Sequence, residues 1–331
     1  LHVRRFAACC RGLALRVLTI LTAGGRALLP PGLAAAVILG GCSSLLTPSS
    51  PRRGSPYYGV VTQFWSPDLA RWTSDLGTGW VRLDANWFDV EPDRGVYSWS
   101  GLDAAIYGAE ALGFRVYATL AYTPAWAGPC RECMPNDPGD WRGFVQAVLA
   151  HYRGAGVVFG IWNEPNLGTF LDDTPDAEQY AVLFTEASAA RQMVDPGATL
   201  AGPETSHHGF PAYYQAAMQR ISASMRPGDV VSVHYYADAP FSLADYMSGV
   251  GAGAAGRLVW LTETGISTCD DERQRQFFAG VLQTYAALGR TWWANVFPYV
   301  LYNGQCEALV NPDGSYRSSF LAYRAFIAAH P

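Results

Sequence analysis

The chain has no lysine. Its 23 basic side chains are all arginine, set against 28 acids, for a formal charge of −5. That acidic balance excludes the basic surface a nucleic acid demands. Other absences narrow the field further. No Gly-rich dinucleotide or phosphate loop follows the first apolar run, which weakens an open, doubly wound sheet, the structural alternative. The pair Cys130-Arg-Glu-Cys133 has no second CxxC and no histidine pair beside it, so it makes half a metal site at most. It also lies in a Pro-rich loop and not at a helix start, against thioredoxin-like redox chemistry. No HExxH or comparable ligand spacing occurs. No metal and no cofactor are expected.

What is present begins with an unusual N-terminus. Residues 1–41 hold Arg4, Arg5, Arg11, Arg16 and Arg26 and no acid, followed by a short apolar stretch and small residues. That order describes an export signal. Pro30 and Pro31 interrupt the apolar run, which falls short of the roughly 20 residues a membrane-spanning helix needs. Leu39-Gly40-Gly41-Cys42 resembles a bacterial lipobox, in which Cys42 is lipidated. We therefore expect an extracytoplasmic protein, secreted or held at the cell envelope through Cys42. Removing 1–41 takes away five arginines and no acid, and moves the formal charge from −5 to −10. Beyond Cys42, four cysteines remain (Cys130, Cys133, Cys269 and Cys306), an even number that can form two disulfides in an oxidising compartment.

Residues 42–56 read as a Ser/Pro-rich linker. After it, apolar runs alternate with helical patterns. Strands are expected at 58–62, 80–84, 115–120, 157–162, 199–201, 230–234, 258–262 and 291–296. Helices are expected at 102–112, 141–152, 177–194, 210–225, 243–250, 272–288 and 318–329. Eight strands interleaved with helices fit a single (β/α)8 TIM barrel over 57–331, without an attached sandwich domain and acting as a monomer. No internal repeat is evident beyond that alternation.

In such a barrel the carboxyl ends of the strands carry the active site. Glu164, in Gly160-Ile161-Trp162-Asn163-Glu164-Pro165-Asn166, follows the fourth strand. Glu263, in Leu261-Thr262-Glu263-Thr264-Gly265, follows the seventh. Both carboxylates should therefore face one mouth. Paired carboxyls suit glycosidic cleavage, which needs a proton for the leaving oxygen and a partner for the cation-like sugar centre. Aromatics follow the same strand ends (Trp65, Trp87, Tyr122, Trp126, Trp292, Trp293, Tyr299 and Tyr302), and their rings can stack on sugar faces. Such loops slightly favour an extended cleft and endo-action. His207 and His208 follow the fifth strand and read as polar lining of the cleft, although a metal is the competing use.

The strand-four Asn-Glu and the strand-seven Glu together resemble the clan-A glycoside hydrolases, with a pattern nearest family 39 and its relatives. The resemblance runs over essentially the whole barrel. It implies that Glu164 is the acid/base and Glu263 the nucleophile of a retaining, double-displacement hydrolysis of β-linked polysaccharides or oligosaccharides. It further implies that Arg82 keeps Glu263 ionised and oriented, and that Asn163 bonds the sugar hydroxyl beside the anomeric carbon. His234, in Val233-His234-Tyr235-Tyr236, would bind substrate or orient a carboxylate, with Tyr236 bonding the nucleophile and Tyr235 facing outward. Trp293 would floor the central subsite, with Trp292 as the competing choice. Residues 90–99 resemble a family 39 loop after strand two and read as architectural. A Cys269–Cys306 disulfide would brace the rim beside Glu263. The alternatives are a transglycosylase on the same scaffold, or a noncatalytic carbohydrate-binding envelope protein.

Overall fold

The structure, a computed structural model, describes residues 54–172, 174–288 and 290–331. The expected export signal, Cys42 and residues 42–53 of the linker lie outside the described residues. Eight parallel strands close into a barrel in chain order. They are β1 (Ser55–Gln63), β2 (Thr78–Asn86), β3 (Arg115–Ala121), β4 (Val158–Ile161), β5 (Thr199–Thr205), β6 (Val230–Tyr236), β7 (Val259–Gly265) and β8 (Trp293–Pro298). This is the expected (β/α)8 barrel. The expected linker end is corrected in one detail: Ser55 and Pro56 already belong to β1.

Parallel strands covered on both faces read as continuous apolar runs, and two cores result. One lies between the strands and the surrounding helices. The other fills the barrel's N-terminal half, where Trp80, Trp260 and Phe297 meet, with Trp80 and Trp260 at 4.8 Å between ring centroids. Local signals start the helices. Ser66 caps Pro67–Leu76 by accepting from the Leu69 amide, with proline at the first helical positions. Asp176 and Gln179 form a reciprocal capping box at Ala177–Val194. Gly77 ends the first of these helices at φ 86°, where a side chain would be strained.

Both disulfides are formed, Cys130–Cys133 and Cys269–Cys306. The second ties the segment after β7 to the segment after β8, beside the barrel mouth. Among the described residues, no helix is long and apolar enough to cross a membrane.

Candidate active site

A cavity of about 550 Å3 opens at the C-terminal ends of the strands. Its walls include Arg82 and Asp84 from β2, Asn163 and Glu164 after β4, Tyr236 from β6, Glu263 from β7 and Tyr299 after β8. Glu164 is 7% exposed and Glu263 6%. One oxygen of each and a ring nitrogen of His234 lie within 4.8 Å of one another.

Glu263 is held from three sides. The Arg82 guanidinium donates to its Oε1, the Tyr236 hydroxyl donates to Oε2 at 2.6 Å, and His234 Nδ1 stands 3.5 Å from Oε2. Burial alone would raise the Glu263 pKa. His234, Arg82 and the Tyr236 hydrogen bond outweigh it and hold the carboxyl below its usual range. For His234, burial pulls the pKa down, but Glu263, Glu164 and Glu204 carry it up to about 9. Its Nδ1 is 3.0 Å from Glu164 Oε1, so a proton there faces both carboxylates.

Arg82 also donates to Asn163 Oδ1 at 2.9 Å and to Glu204 Oε2 at 3.2 Å. Asn163 Nδ2 donates to the Tyr122 hydroxyl at 3.3 Å, which leaves its second N–H for the cavity. Asn166 closes the local frame. It donates to the Ser206 and His208 carbonyls and accepts from the Ser206 amide, clamping the segment after β4 to that after β5.

Glu204 and Tyr117 were not anticipated from sequence. Glu204 lies within β5, is fully buried and accepts from both Arg82 and the Tyr117 hydroxyl. Its backbone carbonyl accepts from the Glu164 amide at 3.1 Å. Gly160 makes the room: a Cβ there would collide with the Glu204 carboxylate and the Tyr117 hydroxyl. The strand was expected at 199–201, and proline is uncommon inside a sheet. Pro203 nevertheless sits in β5, and the chain continues through it to Thr205. Asp84 is the other unanticipated acid. Burial, opposed by Arg82 and reinforced by Glu263 and Glu204, raises it to about 6.

Three expected lining residues lie elsewhere. Trp293 begins β8, so it sits at the end of the strand away from the mouth, fully buried against Tyr285. The aromatic at the mouth end is Tyr299. Trp126 turns its Nε1 to the Glu91 carbonyl and packs edge-on against buried Trp87, with Arg94 over its ring. It supports the 90–99 loop and does not line the cavity. His207 is buried behind the wall, and His208 takes the lining position. Tyr235 does face outward, bonding the Phe241 carbonyl and packing on Tyr246.

Among the described residues, two clusters have the residue types to hold a metal: Glu164, His234 and Glu263, and His207, His208 and Asp238. In the first, the Arg82 guanidinium already pairs with Glu263, and the surrounding carboxylates raise the His234 pKa, which favours a proton over a cation there. In the second, His207 Nδ1 accepts from the Tyr236 amide at 3.4 Å. That places the neutral ring's proton on Nε2, the nitrogen facing Asp238, where a ligand lone pair would be needed. Both sets fit hydrogen bonding better than a cation.

The architecture is that of a (β/α)8 barrel. A GH39 β-xylosidase from Caulobacter crescentus superimposes with a TM-score of 0.69 at 20% identity, over 84% of this chain and 73% of that one. An endo-β-1,4-glucanase from Xanthomonas axonopodis pv. citri gives 0.67 at 13% identity, over 83% of this chain and 99% of that one. These likenesses establish the fold. In sequence, the β-xylosidase of Geobacillus stearothermophilus is 25% identical over 158 residues, 42% of this chain. The match spans 31% of that relative's length. No family model matches the chain.

Proposed function

We propose that this protein is a retaining glycoside hydrolase of the clan-A, family 39-like type, acting on β-linked oligosaccharides or polysaccharides. One observation carries the reading: the carboxylates of Glu164 and Glu263 converge from β4 and β7 onto one cavity, with oxygens within 4.8 Å. An oxygen-to-oxygen approach within 4.8 Å fits the closely set carboxyls of the retaining arrangement, roughly 5–5.5 Å apart, better than the about 6.5–9.5 Å that an inverting pair needs to admit a water. The relatives, a β-xylosidase and an endo-β-1,4-glucanase, support a β linkage.

In the first step a Glu263 oxygen attacks the anomeric carbon. The bond to the leaving oxygen breaks with its electron pair, and that oxygen takes a proton from Glu164. In the second step Glu164, now a carboxylate, takes a proton from water. The water oxygen attacks the anomeric carbon and Glu263 departs as a carboxylate. Arg82, His234 and Tyr236 serve both steps by stabilising the charge on Glu263 when it is free. The free N–H of Asn163 is placed to bond a sugar hydroxyl beside the reacting carbon. We further propose export, attachment through a lipidated Cys42, and a monomer as the working unit.

Glu164→Gln tests the assignment. It should lower kcat on unactivated glycans by about 10²–10⁴-fold, and azide should partly restore turnover of an activated aryl glycoside. Full activity in this variant, or in Glu263→Gln, would remove the assignment.

A further inference from the structure

The cavity does not end at β2. A second depression of about 660 Å3 shares Gln63, Asp84 and Asn86 with the catalytic cavity and continues outward over the ends of β1 and β2. Phe64 stands on it, 52% exposed. Asp89 and Ser98 add polar groups, and Asn86 donates to Asp89 at 3.0 Å across the floor. Each depression falls in the size range of small-ligand sites.

The backbone at this junction is unusual. The Phe64 amide bonds the Thr62 carbonyl at 2.7 Å, and the intervening Gln63 has φ 60°. A three-residue turn with a positive central φ is strained for a residue with a side chain. Phe64 follows this turn just past the end of β1, with its large apolar ring exposed. An exposed aromatic face beside hydrogen-bonding side chains is the chemistry that holds a pyranose ring.

The position of this groove fixes its direction. Glu164, which gives its proton to the leaving group, follows β4, so the leaving portion lies towards β4 and β5. The groove lies across the barrel axis, on the β1 and β2 side. We propose that the groove is a second sugar site on the glycone side, next to the reacting sugar, with Phe64 as its stacking platform. The enzyme therefore grips a chain that continues past the reacting residue and cleaves within it. This rests on the hydrolase reading above and names the substrate class for that site: an internal segment of a β-linked glycan, not its last residue.

The test uses 4-nitrophenyl β-glycosides bearing one, two or three β-1,4-linked xylose units, and the matching glucose series. The wild type should gain about tenfold or more in kcat/KM from one to three units in one of the series. Phe64→Ala should erase most of that gain. Tyr107→Ala, a similarly exposed ring outside the cleft, should retain it. Turnover of the one-unit glycoside with no gain from length overturns the groove and leaves the hydrolase standing. So does a length gain that Phe64→Ala leaves intact. Failure to turn over any member of either series counts against the hydrolase reading, and the groove proposal falls with it.

Discussion

At the N-terminal end of the barrel, Trp80, Trp260 and Phe297 fill the interior ring to ring. A few residues further along the same strands, the axis is occupied instead by Arg82, Glu204, Glu263 and His234, every one of them buried. On β2 the step from Trp80 to Arg82 is two residues, and strict alternation carries both side chains inward. On β7 the step from Trp260 to Glu263 is three. The β6–β7 register pairs Val233 with Leu261 and then His234 with Glu263, so Thr262 is an extra residue. This bulge turns Glu263 inward where alternation would have turned it out. The mouth adds further irregularity: Tyr122, Trp162, Glu164 and Glu204 all have positive φ. Register shifts occur at the floor too, at Ser55–Gly59 and at Val259–Trp260. The positive-φ residues other than glycine within or just beyond the strands lie at the mouth end, where functional side chains must be aimed, as strained sites do.

One pair of substitutions should separate these roles. Arg82→Met removes the guanidinium that pairs with buried Glu204 and Glu263, at a stability loss of about 3–5 kcal/mol, and it should also remove nearly all activity. Trp260→Ala opens a cavity in the floor and should lose a similar about 3–5 kcal/mol, but retain activity per folded molecule at low temperature. Denaturant melts alongside activity assays check both. Equal activity losses in the two variants would show that floor and mouth do not divide stability from chemistry.

A smaller effect follows from pH. Burial lowers the His234 pKa, and Glu263, Glu164 and Glu204 more than offset this, lifting it to about 9 from an unfolded value near 6.5. The stability gained from its protonation is therefore fully present below about pH 6.5 and is lost as pH rises through about 9. Between pH 7 and 10 the wild-type Tm should fall more than that of His234→Gln, which cannot titrate, by an amount on the order of a few degrees. Parallel Tm curves for the two proteins would mean that His234 carries no such charge.

The same contrast explains what the sequence could reveal. Periodic apolar runs located all eight strands, and Glu164 and Glu263 were legible because each adjoins such a run. Glu204 was hidden by Pro203, which interrupts the pattern of a strand that nevertheless continues. Trp293 was misplaced because the resemblance outweighed position: the expected strand 291–296 already put it near the start, away from the carboxyl end that faces the mouth. The helix Pro67–Leu76 was not anticipated either, although Ser66, Pro67 and Asp68 carry its start signal. What stayed illegible was a break in period, as at Pro203.

The central claim is that two mouth carboxylates act in succession through a glycosyl–Glu263 intermediate. Proton NMR of the sugar released from a 4-nitrophenyl β-glycoside, recorded before mutarotation, tests it most directly. The β-anomer should appear first, because two inversions at one carbon restore the starting configuration. An α-anomer as the first product would mean a single displacement by water, and would contradict the role assigned to Glu263.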